Sequence, residues 1–181
     1  MRRKQIWQIG ILVLAMTVGA LAQSWENNNP VHLRGTISDV SAANVAPPGP
    51  WVIHGTWSLN LKGDSGKAEF SASLSMEESD YWVLANSKDP NDPQVRNPHT
   101  HHVELVNGVV TPLSNGFRVT GPATVTANGG PAPFGPNSTV QIDITGGALV
   151  PYSNIKVTFG GDAVAHLGMQ PLDGVVRSVG R

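Results

Sequence analysis

Residues 51–76 read WVIHGTWSLNLKGDSGKAEFSASLSM, with apolar side chains at alternate positions on both sides of a Gly-Asp-Ser-Gly tetrapeptide. A period of two places successive side chains on opposite faces of a β-strand. The tetrapeptide, residues 63–66, is rich in turn-forming residues. The segment therefore predicts a β-hairpin with one apolar face turned to the interior. The large side chains on that face are Trp57, Leu59, Phe70 and Leu74.

The same period recurs along most of the chain after residue 30. Further strands are predicted at residues 31–40, 99–106, 109–113, 117–127, 140–144, 155–159 and 172–179. Nine or ten short antiparallel strands at this spacing are typical of an all-β barrel or sandwich, and the sequence favours the barrel slightly.

Three local features complete this prediction. Asn107-Gly108 suits a type I′ turn and predicts a second hairpin, which joins residues 99–106 to residues 109–113. Residues 162–167 are the one predicted helical turn. Residues 86–98, NSKDPNDPQVRNP, are too polar and too proline-rich for a strand and predict a long loop.

The first 22 residues have the pattern of a secretory signal peptide. Residues 2–4 are basic, residues 9–15 form a short apolar run, and Ala20-Leu21-Ala22 is the small-x-small pattern that precedes cleavage. The apolar run is shorter than the ~20 residues that span a bilayer. We therefore expect cleavage before Gln23 and a secreted or periplasmic protein.

Cleavage there leaves a flexible, Asn-rich lead-in over residues 23–30 and a single all-β domain over residues 31–181. The mature chain has nine Lys and Arg against 13 Asp and Glu, a net charge of −4. This charge argues against nucleic acid and against an anionic membrane surface as partners. We also expect no membrane insertion of the mature chain. The absence of cysteine excludes disulfides and thiolate sites. The oligomeric state stays open.

The segment His99-Thr100-His101-His102-Val103-Glu104 carries the clearest chemical signal. His99 and His101 share one face of a strand, and that face continues into apolar residues, so both imidazoles should point inward. Two imidazoles at this spacing can bind one Zn²⁺ or Cu²⁺ ion. His102 and Glu104 lie on the opposite face, where an exposed ion pair contributes little stability.

A metal site needs a third ligand, for which the sequence offers His166, Asp162 and His54. Alternation places His54 on the polar face of its strand, and this disfavours it. His166 follows a Gly-Gly-Asp turn, so the pattern leaves its direction open. The predicted metal ligands are therefore His99, His101 and His166.

Tyr81 and Trp82 form an aromatic pair beside the long loop. Aromatic faces near polar loops can stack on flat ligands, although such a pair can also fill the core at a strand end. We therefore take Tyr81 and Trp82 as candidate ligand-binding residues.

Three functional hypotheses follow from these features. The first is an exported, soluble, barrel-like protein that binds a small ligand near the start of the histidine-bearing strand. The alternative is a small metal-dependent enzyme with Zn or Cu at His99, His101 and His166. A second alternative is a surface or matrix structural protein, which fits the low charge and the 20 Gly and 14 Pro residues.

Overall fold

Eight antiparallel strands form a closed barrel, and one two-residue strand extends it. The structure, a computed structural model, describes residues 30–41, 50–86, 96–147 and 149–181. The predicted signal peptide, and all of the predicted lead-in except Pro30, lie outside these ranges. The strands are β1 (Val31–Val40), β2 (Trp51–Leu61), β3 (Lys67–Glu78), β4 (His99–Leu113), β5 (Gly116–Ala127), β6 (Gly130–Pro131), β7 (Ser138–Thr145), β8 (Asn154–Gly161) and β9 (Leu172–Gly180).

The barrel is an up-and-down meander. Each of its eight strands pairs with the next along the chain, and β9 pairs with β1 to close the sheet. The short β6 pairs with β5 alone. Closure leaves none of the eight strands with a free edge, the feature that distinguishes a barrel from a sandwich. The predicted all-β class is confirmed, and of its two forms the structure shows the barrel.

The hairpin of residues 51–76 is confirmed. β2 and β3 pair in register over their length and are joined by a 3₁₀ turn at Gly63–Ser65. The rings of Trp57 and Phe70 stack with centroids 6.4 Å apart. Both side chains are buried, so the predicted apolar face does line the barrel interior.

The two ends of the barrel differ because alternate connections of a meander lie at the same end. One end carries the helix α1 (Asp80–Asn86) between β3 and β4, the connection that contains β6, and the helix α2 (Val164–Leu167) between β8 and β9. We call this the helix end. The opposite end carries the β2–β3 and β4–β5 turns and the β7–β8 loop.

The predicted turn at Asn107-Gly108 is wrong. Both residues lie inside β4, and neither has a positive φ. The chain reverses at Ser114-Asn115, because Leu113 pairs with Gly116. Between residues 104 and 109, β4 contains one residue more than the paired segment of β5, so the Asn-Gly pair lies in a β-bulge. The two strands predicted on either side of it are therefore one.

The helical content also differs from the prediction. α2 lies within residues 162–167, as predicted. α1 was not predicted, because its seven residues are too few to show a helical period. It begins directly after β3 and occupies the start of the connection to β4.

Gly108 should resist substitution for a steric reason. A Cβ atom there would lie 2.4 Å from Leu105 Cδ2 and 2.5 Å from Val119 Cγ1. We expect Gly108→Val to lower the free energy of unfolding by about 1–3 kcal/mol, as overpacking does. Asn107 is exposed in the bulge, so Asn107→Val should change it by less than about 0.5 kcal/mol. Urea unfolding of both variants tests this, and a large loss in Asn107→Val would argue for a turn instead.

Candidate metal centre

Three imidazoles, those of His99, His101 and His166, meet at the helix end of the barrel. One ligand nitrogen of each lies within 4.8 Å of those of the other two. The Nε2 atoms of His99 and His166 are 3.1 Å apart and share a hydrogen bond in the metal-free protein. The ring centroids are separated by 4.8–5.2 Å. The structure thus brings together the three histidines that the sequence selects, and we call them the His cluster.

Strand alternation in β4 explains two members of the cluster. His101 is 1% exposed and His99 is half-buried on the same face. His102 is exposed on the other face, where its Nε2 lies 3.1 Å from Glu104 Oε1. His54 is exposed on β2 and lies outside the cluster. The predicted directions of all four imidazoles are therefore confirmed.

The third member comes from the opposite side of the barrel. His166 lies in α2, which follows β8 directly, and only 4% of it is exposed. Its backbone N–H donates to Ala163 O at 3.1 Å, which fixes the short helical turn. Asp162, the alternative third ligand, instead accepts a hydrogen bond from the Asn137 N–H at 2.9 Å. It is not part of the cluster.

Backbone carbonyls orient two of the rings. His99 Nδ1 lies 2.8 Å from Asn97 O, and His101 Nδ1 lies 3.1 Å from Thr126 O. A carbonyl oxygen can only accept, so both Nδ1 atoms carry the proton and donate it. Each ring then presents a lone pair at Nε2. Metal-binding histidines typically donate their other N–H in this way.

His101 Nε2 is the least satisfied atom of the cluster. It is buried and has no hydrogen-bond partner among the described residues. Leaving such an acceptor unpaired costs about 1–3 kcal/mol. Burial and the neighbouring His166 lower the pKa of His101 to about 4, although the hydrogen bond to Thr126 raises it. His101 is therefore neutral at physiological pH, and the neutral form is the one that binds metal.

Aromatic rings flank the cluster on two sides. Trp51 contacts His99 edge to face, with centroids 4.9 Å apart. Phe134 stacks on His166 at 5.8 Å and lies 6.1 Å from His101. Alternation in β2 indicates that Trp51 is buried. Phe134 gave no sequence signal, because it lies in a Gly- and Pro-rich connection without a period.

Glu78 carries a carboxyl group that interacts electrostatically with His99. It is half-buried at the end of β3, two residues beyond Met76, the register partner of His99. Burial raises the pKa of Glu78, and the electrostatic effect of His99 opposes this. Its carboxylate is not one of the mutually close ligand groups.

The geometry of the cluster suits a tetrahedral or trigonal ion. At a Zn–N bond length of 2.0–2.1 Å, two ligand nitrogens on a tetrahedral ion are about 3.4 Å apart. The 3.1 Å separation of the His99 and His166 Nε2 atoms is close to that distance. The residues present therefore fit one transition-metal ion.

The ligand-binding prediction for Tyr81 and Trp82 remains a prediction. Both residues lie in α1, at the same end of the barrel as the His cluster. Most of the predicted loop of residues 86–98 lies outside the described residues.

Comparison with protein families, with characterised proteins and with solved structures found no match. No helix within the described ranges is long and apolar enough to cross a membrane. The functional argument therefore depends on the geometry of the His cluster.

The burial of His101 predicts a pH dependence for the metal-free protein. Its pKa is about 4 when folded, against 6.5 for a free imidazole, so between these values only the unfolded chain binds the proton. This contribution to stability is complete above pH 6.5 and is lost as the pH falls towards 4. From pH 7 to pH 4.5 we expect His101 to account for a loss of about 2–3 kcal/mol.

Urea unfolding with a chelator present measures this loss. His101→Gln, which cannot titrate, should lose correspondingly less stability over the same pH range. Equal losses in the two proteins would contradict the assignment.

Proposed function

We propose that this protein is an exported β-barrel protein that binds one transition-metal ion, Zn²⁺ or a copper ion, through His99, His101 and His166. The single observation that carries the proposal is the meeting of three imidazoles whose ligand nitrogens lie within 4.8 Å of one another, one of them on His101, whose Nε2 is buried without a hydrogen-bond partner among the described residues. A metal ion satisfies the three ring nitrogens together. Without one, the buried lone pair is a net cost to folding.

Metal binding is better supported than catalysis on a dissolved substrate. His101 and His166 are both more than nine-tenths buried. A catalytic site needs reactive groups that a dissolved substrate can reach. We therefore propose binding of the ion itself as the function.

Isothermal titration calorimetry with Zn²⁺ and Cu²⁺ on the metal-free protein tests the proposal. The wild-type protein should bind one ion per chain, and His101→Ala and His166→Ala should each weaken binding by at least about a hundredfold, the upper end of what loss of a supporting residue costs. Neutral imidazole is the ligand, so uptake should weaken as the pH falls through about 6.5.

The matched controls are His102→Ala and His54→Ala. Both remove an exposed imidazole that the structure places outside the cluster, so both should bind as the wild type does. A loss of affinity that follows the number of histidines removed, whichever they are, would indicate nonspecific binding and contradict the site.

The export part of the proposal is supported by the signal-like pattern of residues 1–22. N-terminal sequencing of the protein recovered from its native host should begin at Gln23. Recovery with Met1 intact would contradict export by cleavage.

A further inference from the structure

The His cluster provides three nitrogen ligands and no anionic one. Among the described residues, the mutually close ligand groups are the three imidazoles alone, with no carboxylate. Zn²⁺ in proteins is almost always four-coordinate, and a site with three protein ligands completes its shell with water or substrate. Which ion the cluster holds therefore depends on whether a fourth ligand can enter.

Phe134 packs on two rings of the cluster, those of His101 and His166. Its ring is half-buried, whereas His101 and His166, on which it packs, are buried. Trp51 is fully buried and contacts His99. Two apolar rings thus contact the cluster, and neither of them offers a ligand atom.

The segment that carries Phe134 is fixed at both ends to the elements that carry the histidines. We call residues 128–137 the flap. At its start, Asn128 N donates to Thr100 O at 2.9 Å, and Thr100 N donates to Asn128 Oδ1 at 3.0 Å. At its end, Asn137 N donates to Asp162 Oδ2 and Asp162 N donates to Asn137 O. The flap therefore holds Phe134 in place relative to β4 and α2.

Charge adds a second constraint. The cost of moving an ion from water into a medium of low dielectric rises with the square of its charge, so a divalent ion costs about four times as much as a monovalent one of equal radius. Three neutral imidazoles do not compensate that charge. A monovalent ion that is stable with three ligands fits both constraints, and Cu⁺ is such an ion; imidazole is among the ligands that suit copper.

We propose that Phe134 determines the metal specificity of the His cluster by closing the fourth coordination position, so that the site holds three-coordinate Cu⁺ in preference to Zn²⁺. This inference rests on the proposed function. It makes Phe134 a specificity-determining residue that touches the ligands and does not bind the ion.

Competition titrations test the proposal. Cu⁺, kept reduced with ascorbate, is titrated against bicinchoninate, and Zn²⁺ against a chromophoric chelator, for the wild type, Phe134→Ala and Phe134→Leu. Phe134→Ala opens the fourth position to water and should shift the ratio of the two affinities towards Zn²⁺ by about tenfold or more, a typical size for changes around a metal site. Phe134→Leu keeps an apolar cover and should shift it much less.

Two further measurements make the result decisive. X-ray absorption of the Cu⁺-loaded wild type should show three nitrogen ligands. Glu78→Gln should leave the affinity for both ions unchanged, because its carboxylate is not in the ligand set. Circular dichroism checks that each variant keeps its β-structure.

The outcomes separate the two proposals. If the wild type binds neither ion, the proposed function fails. If it binds Zn²⁺ with a water or with Glu78 as fourth ligand, or if Phe134→Ala changes both affinities by the same factor, the metal site stands and the role of Phe134 is wrong.

Discussion

Replacing Phe70 with alanine should lower the free energy of unfolding by about 3–5 kcal/mol, as truncation of a large buried aromatic residue does. Phe70 is 2% exposed and stacks on Trp57 inside the barrel. Its ring thus packs between two neighbouring strands in the hairpin that anchors the fold. The closed interior has no free edge that can move inward to fill the resulting cavity.

The matched control is Ser71→Ala, one residue along β3 and on the outer face. It should change the free energy of unfolding by less than about 0.5 kcal/mol. Urea unfolding of both variants should show a lower midpoint for Phe70→Ala at an unchanged slope. Similar losses in the two variants would mean that the faces of β3 are reversed.

This hairpin could be predicted because all its signals are local. Alternation in residues 51–61 and 67–76 and a turn of four residues specify two strands and their faces without reference to the rest of the chain. Closure of the barrel could not be predicted in the same way. It depends on the pairing of β9 with β1, two strands at opposite ends of the described chain, and each strand's pattern would fit a sandwich equally well.

The failure at Asn107-Gly108 shows where a local signal misleads. The dipeptide can form a type I′ turn, but it is equally suited to a bulge, in which the exposed Asn107 is accommodated and Gly108 packs closely on Leu105. The strand continues through it because its pairing with β3 and β5 on both sides stabilises the extended chain. Tertiary pairing thus overrode the turn propensity.

The residues of the site differ in how far the sequence predicts them. Alternation alone predicts the shared inward face of His99 and His101, because both lie on one strand. His166 could be named as a candidate, but its distance from the other two depends on the closed barrel, which brings α2 next to β4. Phe134 had no signal at all, since a flap without a period gives no indication of what its side chains cover.

Binding of metal should stabilise the folded protein by an amount that mass action fixes. An ion that binds only the native state raises the free energy of unfolding by about 2.7 kcal/mol at 100 times its Kd and by about 4.1 kcal/mol at 1,000 times. The three ligands come from β4 and α2, and the four strands β5 to β8 lie between these two elements. His99 and His166 are 67 residues apart in sequence. The unfolded chain cannot hold the three imidazoles together, so the free energy of unfolding should rise by nearly the full amount that mass action gives.

The double variant His99→Ala/His101→Ala removes two of the three ligands and should show no comparable rise in its unfolding midpoint when the ion is added. His102→Ala should retain the full rise, because its imidazole lies on the outer face beside Glu104. Thermal or urea unfolding with and without Zn²⁺, and with Cu⁺ under ascorbate, measures the rise for all three proteins. A rise that persists in the double variant would place the ion elsewhere on the chain. A rise lost equally in His102→Ala would mean that the outer imidazole also takes part in binding, which contradicts the assigned site.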